Sequence, residues 1–347
     1  TMTSSNYGHI SGGSVIDTNG TVQFWGHPDR GGTNNTGVNL DNVTKVFPNR
    51  FAYAALKTDG SVVSWGLTSY GGEMPQSVKD KLDGTGSSVK HIYSNFYHFS
   101  ALLEDGTVVS WGNTTPDLSN SDSATDIQKI YCGKYYMAGI NSQGGVTLWG
   151  RPGKDVLEEA TNLSSGVIKV VFTVYGAAAL KDDGSVVVWG QDSYGGDSSS
   201  VASSLTADVI DVVANASKAF AALKSDGTVV AWGDAAQISG GNGIQNGSKI
   251  VAAAESFCVL KTNGTVQTFG ESDNAGGITP PDTGVIDIMA AWRNYAMLKD
   301  DGSVNMVEGG QWWDYKWDQA KVHLDGTNTI KKVITAAQTY VALLENG

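Results

Sequence analysis

The sequence is poor in the residues that usually mark catalytic and metal centres. Among 347 residues there are only two cysteines and five histidines. The histidines show no metal-ligand spacing relative to one another or to the cysteines. Cys132 and Cys258 lie far apart and make no disulfide framework, so we expect both to be small buried hydrophobic residues. We therefore expect no metal, no cofactor and no enzymatic activity.

Positive charge, long apolar runs and helical periodicity are also scarce. The chain has 23 Lys and Arg against 35 Asp and Glu, a formal net charge of −12. This balance argues against nucleic acid as a partner, because such partners require basic patches. No run approaches the length of a membrane span, so we expect no membrane insertion. Helical periodicity is absent, except that residues 76–82 are compatible with one helical turn.

Glycine, by contrast, is abundant and marks a repeated unit. Residues 180–190 read Leu-Lys-Asp-Asp-Gly-Ser-Val-Val-Val-Trp-Gly, two extended runs joined by an Asp-Gly pair typical of tight hairpin turns. The pattern recurs about every 40 residues along the whole chain. Its turn glycines are Gly20, Gly60, Gly106, Gly144, Gly184, Gly227, Gly264 and Gly302, with Gly347 as a ninth. A unit of this length cannot bury its apolar face alone, so neighbouring units must stack.

Each repeat continues in the same order after its hairpin. Six hairpins end in Trp-Gly and a seventh in Phe269-Gly270, a position that we assign to packing between units. A polar, glycine-bearing loop follows, and then a strand rich in β-branched residues. We predict these strands at residues 43–47, 89–93, 127–131, 167–172, 209–213, 249–253, 285–289 and 330–334. Four strands per unit around an axis would give a β-propeller.

The copies resemble the repeat of the regulator-of-chromosome-condensation propellers. Residues 55–66, Ala-Leu-Lys-Thr-Asp-Gly-Ser-Val-Val-Ser-Trp-Gly, carry this resemblance. In repeat length the chain is most similar to the bacterial beta-lactamase inhibitor proteins of that fold. The resemblance implies an all-β chain, a single β-propeller over residues 1–347 with four-stranded blades, closed by residues 1–20 and 331–347. Eight hairpins and half of a ninth indicate seven or eight blades, and we expect the sequence to be an excerpt of a longer protein.

The resemblance also implies one binding face, built from the loops before the hairpins. The family pattern there resembles Gly-x-aromatic-His, which is kept in part at residues 133–136 and 95–98. Because every blade presents this loop on the same side, and aromatics and Arg are enriched at interfaces, we predict a partner-binding face. Its residues are Phe51, Tyr97, His98, Tyr135, Tyr136, Tyr175, Trp292 and Arg293. The alternative is that some of these rings fill gaps between blades.

A second aromatic segment interrupts the repeat near the end of the chain. Residues 311–318 hold Trp312, Trp313, Tyr315 and Trp317 in place of a glycine-rich loop. They would form either an exposed platform for a sugar or a protein, or a plug that packs where the ring closes.

These observations favour a non-enzymatic protein-binding or assembly module. Members of the resembled family include a guanine-nucleotide exchange factor, chromatin binders and an enzyme inhibitor, so the fold does not select one function. The low charge and the polar loops favour an extracellular, cell-surface or virion-surface location. The alternatives are a glycan-binding lectin that uses Trp312, Trp313 and Trp317, and an exchange regulator of a small GTPase.

Overall fold

The computed structural model describes residues 12–17, 20–113, 118–151, 155–158, 162–271, 283–308, 330–336 and 339–344. Nearly all of its regular structure is antiparallel β-sheet. The chain divides into two compact units, unit 1 (Thr1–Val167) and unit 2 (Ile168–Gly347).

Unit 1 contains a two-stranded sheet followed by three three-stranded sheets. The strands are β1 (Gly12–Ile16) and β2 (Val22–Gly26); β3 (Val43–Pro48), β4 (Ala52–Lys57) and β5 (Val62–Gly66); β6 (Val89–Ser94), β7 (His98–Leu103) and β8 (Val108–Gly112); and β9 (Ile127–Cys132), β10 (Tyr136–Asn141) and β11 (Val146–Gly150). The single-turn helices are α1 (Gln76–Lys79), α2 (Ser119–Asp122) and α3 (Asp155–Glu158). Successive sheets contact each other through their first strands, β3 with β6 and β6 with β9.

Unit 2 repeats this plan with four three-stranded sheets and a final strand pair. They are β12 (Val167–Phe172), β13 (Gly176–Lys181) and β14 (Val186–Gly190); β15 (Val209–Ala214), β16 (Ala219–Lys224) and β17 (Val229–Gly233); β18 (Gly247–Ala252), β19 (Ser256–Lys261) and β20 (Val266–Gly270); β21 (Val285–Ala290), β22 (Asn294–Lys299) and β23 (Val304–Glu308); and β24 (Ile330–Ala336) with β25 (Thr339–Leu344). First strands again meet, β15 with β18 and β18 with β21.

The hairpin turns form because the Asp-Gly pair satisfies itself locally. The carboxylate of Asp59 accepts hydrogen bonds from the N–H (2.9 Å) and the hydroxyl (2.6 Å) of Ser61. Gly60 between them has φ 84°, a value that side-chain-bearing residues rarely adopt. These two bonds lower the pKa of the Asp59 carboxyl. The eight predicted hairpins from Gly20 to Gly302 and the predicted first strands are confirmed, and so is the helical turn at α1. The ninth hairpin, at Gly347, lies outside the described residues.

Several tryptophans bond their sheet to the preceding repeat of the same unit. Trp65 Nε1 donates a hydrogen bond to the main-chain oxygen of Gly31 (3.3 Å), and Trp111 Nε1 donates to that of Gly71 (3.2 Å). In both cases the acceptor lies in the turn after the preceding sheet. Trp65 and Trp111 are fully buried, which confirms the assignment of Trp-Gly to packing. Trp25 differs, since 55% of its surface is exposed.

The expected four-stranded blades are not seen in the described residues, where the repeated sheets have three strands. Loop residues hydrogen-bond to the outer edge of the third strand without forming a further strand of the sheet; in β17, loop residues 243 and 244 bond to the main chain of Val229. In β17, the N–H of Ala231 donates to Asn242 Oδ1 (2.7 Å), and Asn242 Nδ2 donates back to the Ala231 oxygen (3.0 Å). In β5, the N–H of Val62 donates to the Leu82 oxygen (2.9 Å). An amide side chain thus substitutes for a strand residue and protects the edge.

The two end segments have fewer strands. β1 pairs with β2, and β24 pairs with β25. The ring closure expected from residues 1–20 and 331–347 also involves residues 1–11 and 345–347, which lie outside the described residues. Within the described residues, no helix is long and apolar enough to cross a membrane.

Candidate functional site

Asparagine side chains shape the loops that precede the middle strands in unit 1. Before β4, Asn49 Oδ1 accepts hydrogen bonds from the N–H groups of Phe51 (3.0 Å) and of the next residue (2.8 Å). Before β7, Asn95 Oδ1 accepts the equivalent bonds from Tyr97 (2.9 Å) and its successor (3.0 Å). An asparagine that bonds the main chain two or three residues ahead stabilises a tight turn. Both turns hold an aromatic residue directly before the strand.

A second set of loops, directly after the Trp-Gly pairs, supplies further side chains. The 3-10 turn Thr68–Tyr70 ends at Gly71, whose φ of 87° lies in the left-handed region. The side-chain nitrogen of Asn49 donates to the main-chain oxygen of Tyr70 at 2.6 Å and ties this turn to the loop before β4. The turn Pro28–Arg30 has the same form. Each turn brings its last residue beside the pre-strand aromatics.

The aromatic side chains of these loops form a continuous row in unit 1. The rings of Phe51 and Tyr70 meet edge to face with centroids 4.8 Å apart. Tyr70 then stacks on Tyr97 at 5.0 Å, and Tyr97 stacks on Tyr135 at 5.6 Å. The row therefore links the loops of three successive sheets.

Two cations lie between rings that belong to neighbouring sheets. The guanidinium of Arg50 lies 4.7 Å from the ring centroid of Phe51 and 4.6 Å from that of Phe96. Lys134 Nζ lies 5.0 Å from the centroid of Phe96 and 5.2 Å from that of Tyr135. All four distances are within the range of cation–π attraction. Rings and cations therefore alternate across the loops.

Two further cations extend this arrangement at its ends. Arg30 lies 4.5 Å from the ring centroid of Phe51, and Arg151 lies 5.1 Å from that of Tyr135. We name the whole set the cationic aromatic face. It consists of Arg30, Arg50, Phe51, Tyr70, Phe96, Tyr97, Lys134, Tyr135 and Arg151.

Three cations of this face, Arg50, Lys134 and Arg151, lack a carboxylate partner among the described residues. In unit 2, by comparison, Lys169 pairs with Asp211 at 2.6 Å. The face is thus a local excess of positive charge on a chain whose net charge is −12.

Two of these cations, Arg50 and Lys134, are partly buried, which disfavours their positive charge. Arg50 Nε is buried and has no hydrogen-bond acceptor among the described residues. Burial lowers the pKa of Lys134, and the nearby charge of Arg50 lowers it further. A negative charge placed against the face would favour the charged form of Lys134.

Hydrogen bonds between neighbouring sheets hold the face in place. The N–H of Phe96 donates to the main-chain oxygen of Lys134 at 3.3 Å, joining the loops before β7 and β10. The hydroxyl of Ser94 donates to the main-chain oxygen of Pro48 at 2.7 Å and joins β6 to the end of β3. The segments that carry the rings are therefore hydrogen-bonded to one another.

In unit 2 the equivalent loops carry different side chains. Tyr175, before β13, meets Tyr194 edge to face at 4.8 Å, and Lys218 Nζ lies 5.6 Å from the Tyr194 ring. Glu255 occupies the position directly before β19. Trp292, two residues before β22, is 38% exposed. Unit 2 has aromatic and charged side chains at these positions but no comparable run of cation–π contacts among its described residues.

The predicted site residues do not all lie in one place: some belong to the cationic aromatic face of unit 1, some to unit 2, and some lie outside the described residues. Phe51, Tyr97 and Tyr135 lie together in the cationic aromatic face, although Tyr135 is only 9% exposed because its neighbours cover it. Tyr175, Trp292 and Arg293 belong to unit 2, and Arg293 Nε is buried without a hydrogen-bond acceptor among the described residues. The four aromatic residues at 312, 313, 315 and 317 lie outside the described residues.

Two of the predicted face residues are core residues instead. His98 and Tyr136 are the first residues of β7 and β10, where they pair in register with Gly112 and Gly150. Both are fully buried. The strand begins one residue after the aromatic of the loop, so the next side chain enters the sheet packing and not the face.

The cations, Tyr70 and Phe96 were missed because they come from several positions of the repeat. Arg50, Phe96 and Lys134 stand two residues before the middle strand, whereas Arg151 directly follows a Trp-Gly pair. Arg30 and Tyr70 precede a Gly-Gly pair that begins five residues after the Gly of Trp-Gly. That recurring pattern, also present at residues 194–196, is the sequence signal that could have found them.

The histidines and cysteines offer little for chemistry within the described residues. No group of three or more His, Cys, Asp or Glu side chains there is placed to hold a metal ion. Both cysteines are free thiols. Cys258 is buried, as expected, but Cys132 is only half-buried. Burial raises the pKa of both thiols, so neither is an activated nucleophile.

No protein-family model matches this chain, and no curated protein matches its sequence. Solved structures do resemble it. The human protein WBSCR16 is 12% identical, with coverage of 81% of this chain and 90% of its own and a TM-score of 0.44. Prp20p from Saccharomyces cerevisiae, described with its binding to Gsp1p and histones, is 14% identical over 86% of this chain and 82% of its own, with a TM-score of 0.44.

A third similar structure is the CRINKLY WD40 ectodomain of the Arabidopsis thaliana receptor kinase ACR4. It is 15% identical over 75% of this chain and 93% of its own, with a TM-score of 0.42. Another structure of the yeast protein names it RCC1 and shows it bound to Kap60. At TM-scores below 0.5, these likenesses add nothing to what the strand register and the contacts establish.

Proposed function

We propose that this protein is a non-enzymatic β-propeller module that binds a protein partner through the cationic aromatic face of unit 1. The observation that carries the proposal is the unbroken series of ring and cation contacts from Arg30 to Arg151. We place its action outside the cell or on a cell or virion surface, on the support of its polar, weakly charged loops.

The side chains of the face are those that dominate the energetics of protein interfaces. Tyr, Phe and Arg are enriched at interface positions whose truncation costs most binding free energy. Rings that already pack on one another, as Tyr97 does on Tyr70 and Tyr135, lose little conformational entropy on binding. The face is thus prepared for association before any partner arrives.

The alternatives lack an observation of this kind. The lectin hypothesis depends on Trp312, Trp313 and Trp317, which lie outside the described residues. The hypothesis of GTPase exchange rests on the family resemblance alone. Both remain predictions from the sequence.

A peptide-display selection tests the proposal without knowledge of the partner. A random peptide library is selected on the immobilised full chain, and the recovered peptides are measured by fluorescence anisotropy on wild type and variants. We expect Tyr97→Ala to weaken binding about tenfold, the effect of losing an energetically dominant contact. Trp292→Ala, which removes an exposed aromatic of unit 2, is the matched control and should change affinity little.

Folding of both variants is checked by circular dichroism and thermal unfolding. Peptides that bind Tyr97→Ala as tightly as wild type would show that the face is not the binding surface, and the proposal would then be wrong.

A further inference from the structure

We infer that the segment bound by the cationic aromatic face is an acidic peptide, one that presents Asp or Glu carboxylates to Arg50, Lys134 and Arg151. The inference rests on the proposed function and adds the chemistry of the partner.

The first argument is the way in which the cations are held. Elsewhere in the protein, Lys249 forms an ion pair with Asp287 that neutralises its charge. On the face, Arg50 and Lys134 are positioned by ring faces instead. A ring attracts a cation through its quadrupole but carries no net charge, so the positive charge remains available to a carboxylate.

The second argument is the geometry of Arg50. Its guanidinium lies between two rings, at 4.7 Å from Phe51 and 4.6 Å from Phe96. The N–H donors of a guanidinium lie in its plane, where they match the two oxygens of a carboxylate. None of the described residues accepts a hydrogen bond from this group. The buried Nε is out of a partner's reach, and a carboxylate of the partner would supply acceptors to the terminal nitrogens of the guanidinium.

The third argument excludes ligands that bind by stacking. Tyr97 has Tyr70 and Tyr135 stacked against it. Phe51 and Phe96 each have two cations against their rings. Sugars and nucleobases need a free ring face to stack on. The rings of this surface are already occupied by one another and by the cations, which leaves the charge as its open recognition element.

Lys134 points to the same conclusion. Burial and the charge of Arg50 both lower its pKa, which means that its positive charge is held in an unfavourable environment. A carboxylate that binds between Arg50 and Lys134 would remove this unfavourable interaction. The proximity of the positive charges of Arg50 and Lys134 is therefore better explained by an anionic partner that binds both than by packing alone.

The test compares two display libraries that differ only in charge. In one library Asp and Glu are encoded, and in the other Asn and Gln codons replace them at the same positions. We expect the acidic library to yield binders and the neutral library to yield none of comparable affinity. Affinity should fall steeply as salt is raised, because exposed charge pairs are screened.

Charge-removing variants locate the binding on the face. Arg50→Gln and Lys134→Gln should each weaken the selected acidic peptide about tenfold, as expected for the loss of one partner of a charge-assisted contact. Lys81→Gln removes the same charge from an exposed lysine of unit 1 that pairs with Asp122, and should have little effect. Arg50→Lys keeps the charge and should retain part of the affinity.

The outcomes separate this inference from the proposed function. If neutral peptides bind as tightly as acidic ones and still depend on Tyr97, the function holds and the acidic chemistry is wrong. If the selected peptides ignore every substitution on the face, the proposed function itself is wrong. If a thymidine oligonucleotide of equal length binds more tightly than the acidic peptide and depends on Arg50, the occupant is nucleic acid and the inference is overturned.

Discussion

The guanidinium of Arg50 lies 4.6 Å from the ring centroid of Phe96, although the two residues belong to the loops of different sheets. The contact therefore couples two repeats at the surface. We expect a double-mutant cycle of Arg50→Gln and Phe96→Leu to show a coupling of about 0.5–1 kcal/mol in the free energy of unfolding. Urea denaturation of the four proteins measures it. Strictly additive effects would mean that the contact contributes nothing.

The buried tryptophans should be far more sensitive to substitution than the exposed one. Trp111→Phe removes the hydrogen bond to Gly71 and leaves unfilled volume beside Phe99. We expect a loss of about 2–4 kcal/mol in the free energy of unfolding. Trp25→Phe is the control at the same repeat position, and because Trp25 is largely exposed we expect a change within about 0.5 kcal/mol. Equal effects of the two substitutions in denaturant unfolding would contradict the packing role.

The second glycine of the Gly-Gly pair is required by the close approach of main chain. A Cβ on Gly72 would lie 2.3 Å from the carbonyl carbon and oxygen of Gly66, neither of which can move aside like a flexible side chain. We expect Gly72→Ala to destabilise the protein by about 3 kcal/mol or more. At Gly86 a Cβ would meet nothing within 4 Å. Gly86→Ala should be neutral or stabilising by about 0.5 kcal/mol, because it restricts the unfolded chain.

Thermal unfolding followed by circular dichroism compares the two glycine variants. A Gly72→Ala protein as stable as Gly86→Ala would show that the turn tolerates a side chain.

His98 should make the stability of the protein depend on pH. Burial lowers its pKa from 6.5 to about 3, and Asn95 Nδ2 donates to its Nε2 at 2.8 Å, so the buried ring is neutral. As the pH falls below 6.5, His98 takes up a proton in the unfolded chain but stays neutral in the folded chain. The stability that is present above pH 6.5 is therefore lost progressively down to about pH 3, amounting to about 2 kcal/mol at pH 5.

Urea unfolding near pH 7 and near pH 5 measures this loss in wild type and in His98→Gln. Since the other titrating groups are common to both proteins, the variant should lose less stability between the two conditions. Identical losses would contradict a buried neutral His98.

The hairpins and the first strands could be predicted because their signals are local. A turn such as Asp59-Gly60 satisfies its own hydrogen bonds within three residues, and the flanking β-branched runs need only neighbouring strands. The edge of the sheet could not be predicted in this way. Whether Asn242 pairs with Ala231 or a fourth strand forms depends on how a long loop folds back, which no short pattern encodes.

The face was predictable only in part, for a geometric reason. Phe51, Tyr97 and Tyr135 occupy the same position in three repeats, so a comparison of the repeats is enough to find them. The cations that contact them come from three different positions and meet only after the loops fold. His98 was predicted to lie on the face but is buried. It directly follows the loop aromatic Tyr97 and is the first residue of β7, so its side chain packs inside the sheet.

Trp111 donates its hydrogen bond to Gly71, which belongs to the preceding repeat. Damage to the turn at Gly71 would therefore remove the acceptor of Trp111 in the following repeat, while Trp65 in the damaged repeat would keep its own acceptor, the main-chain oxygen of Gly31.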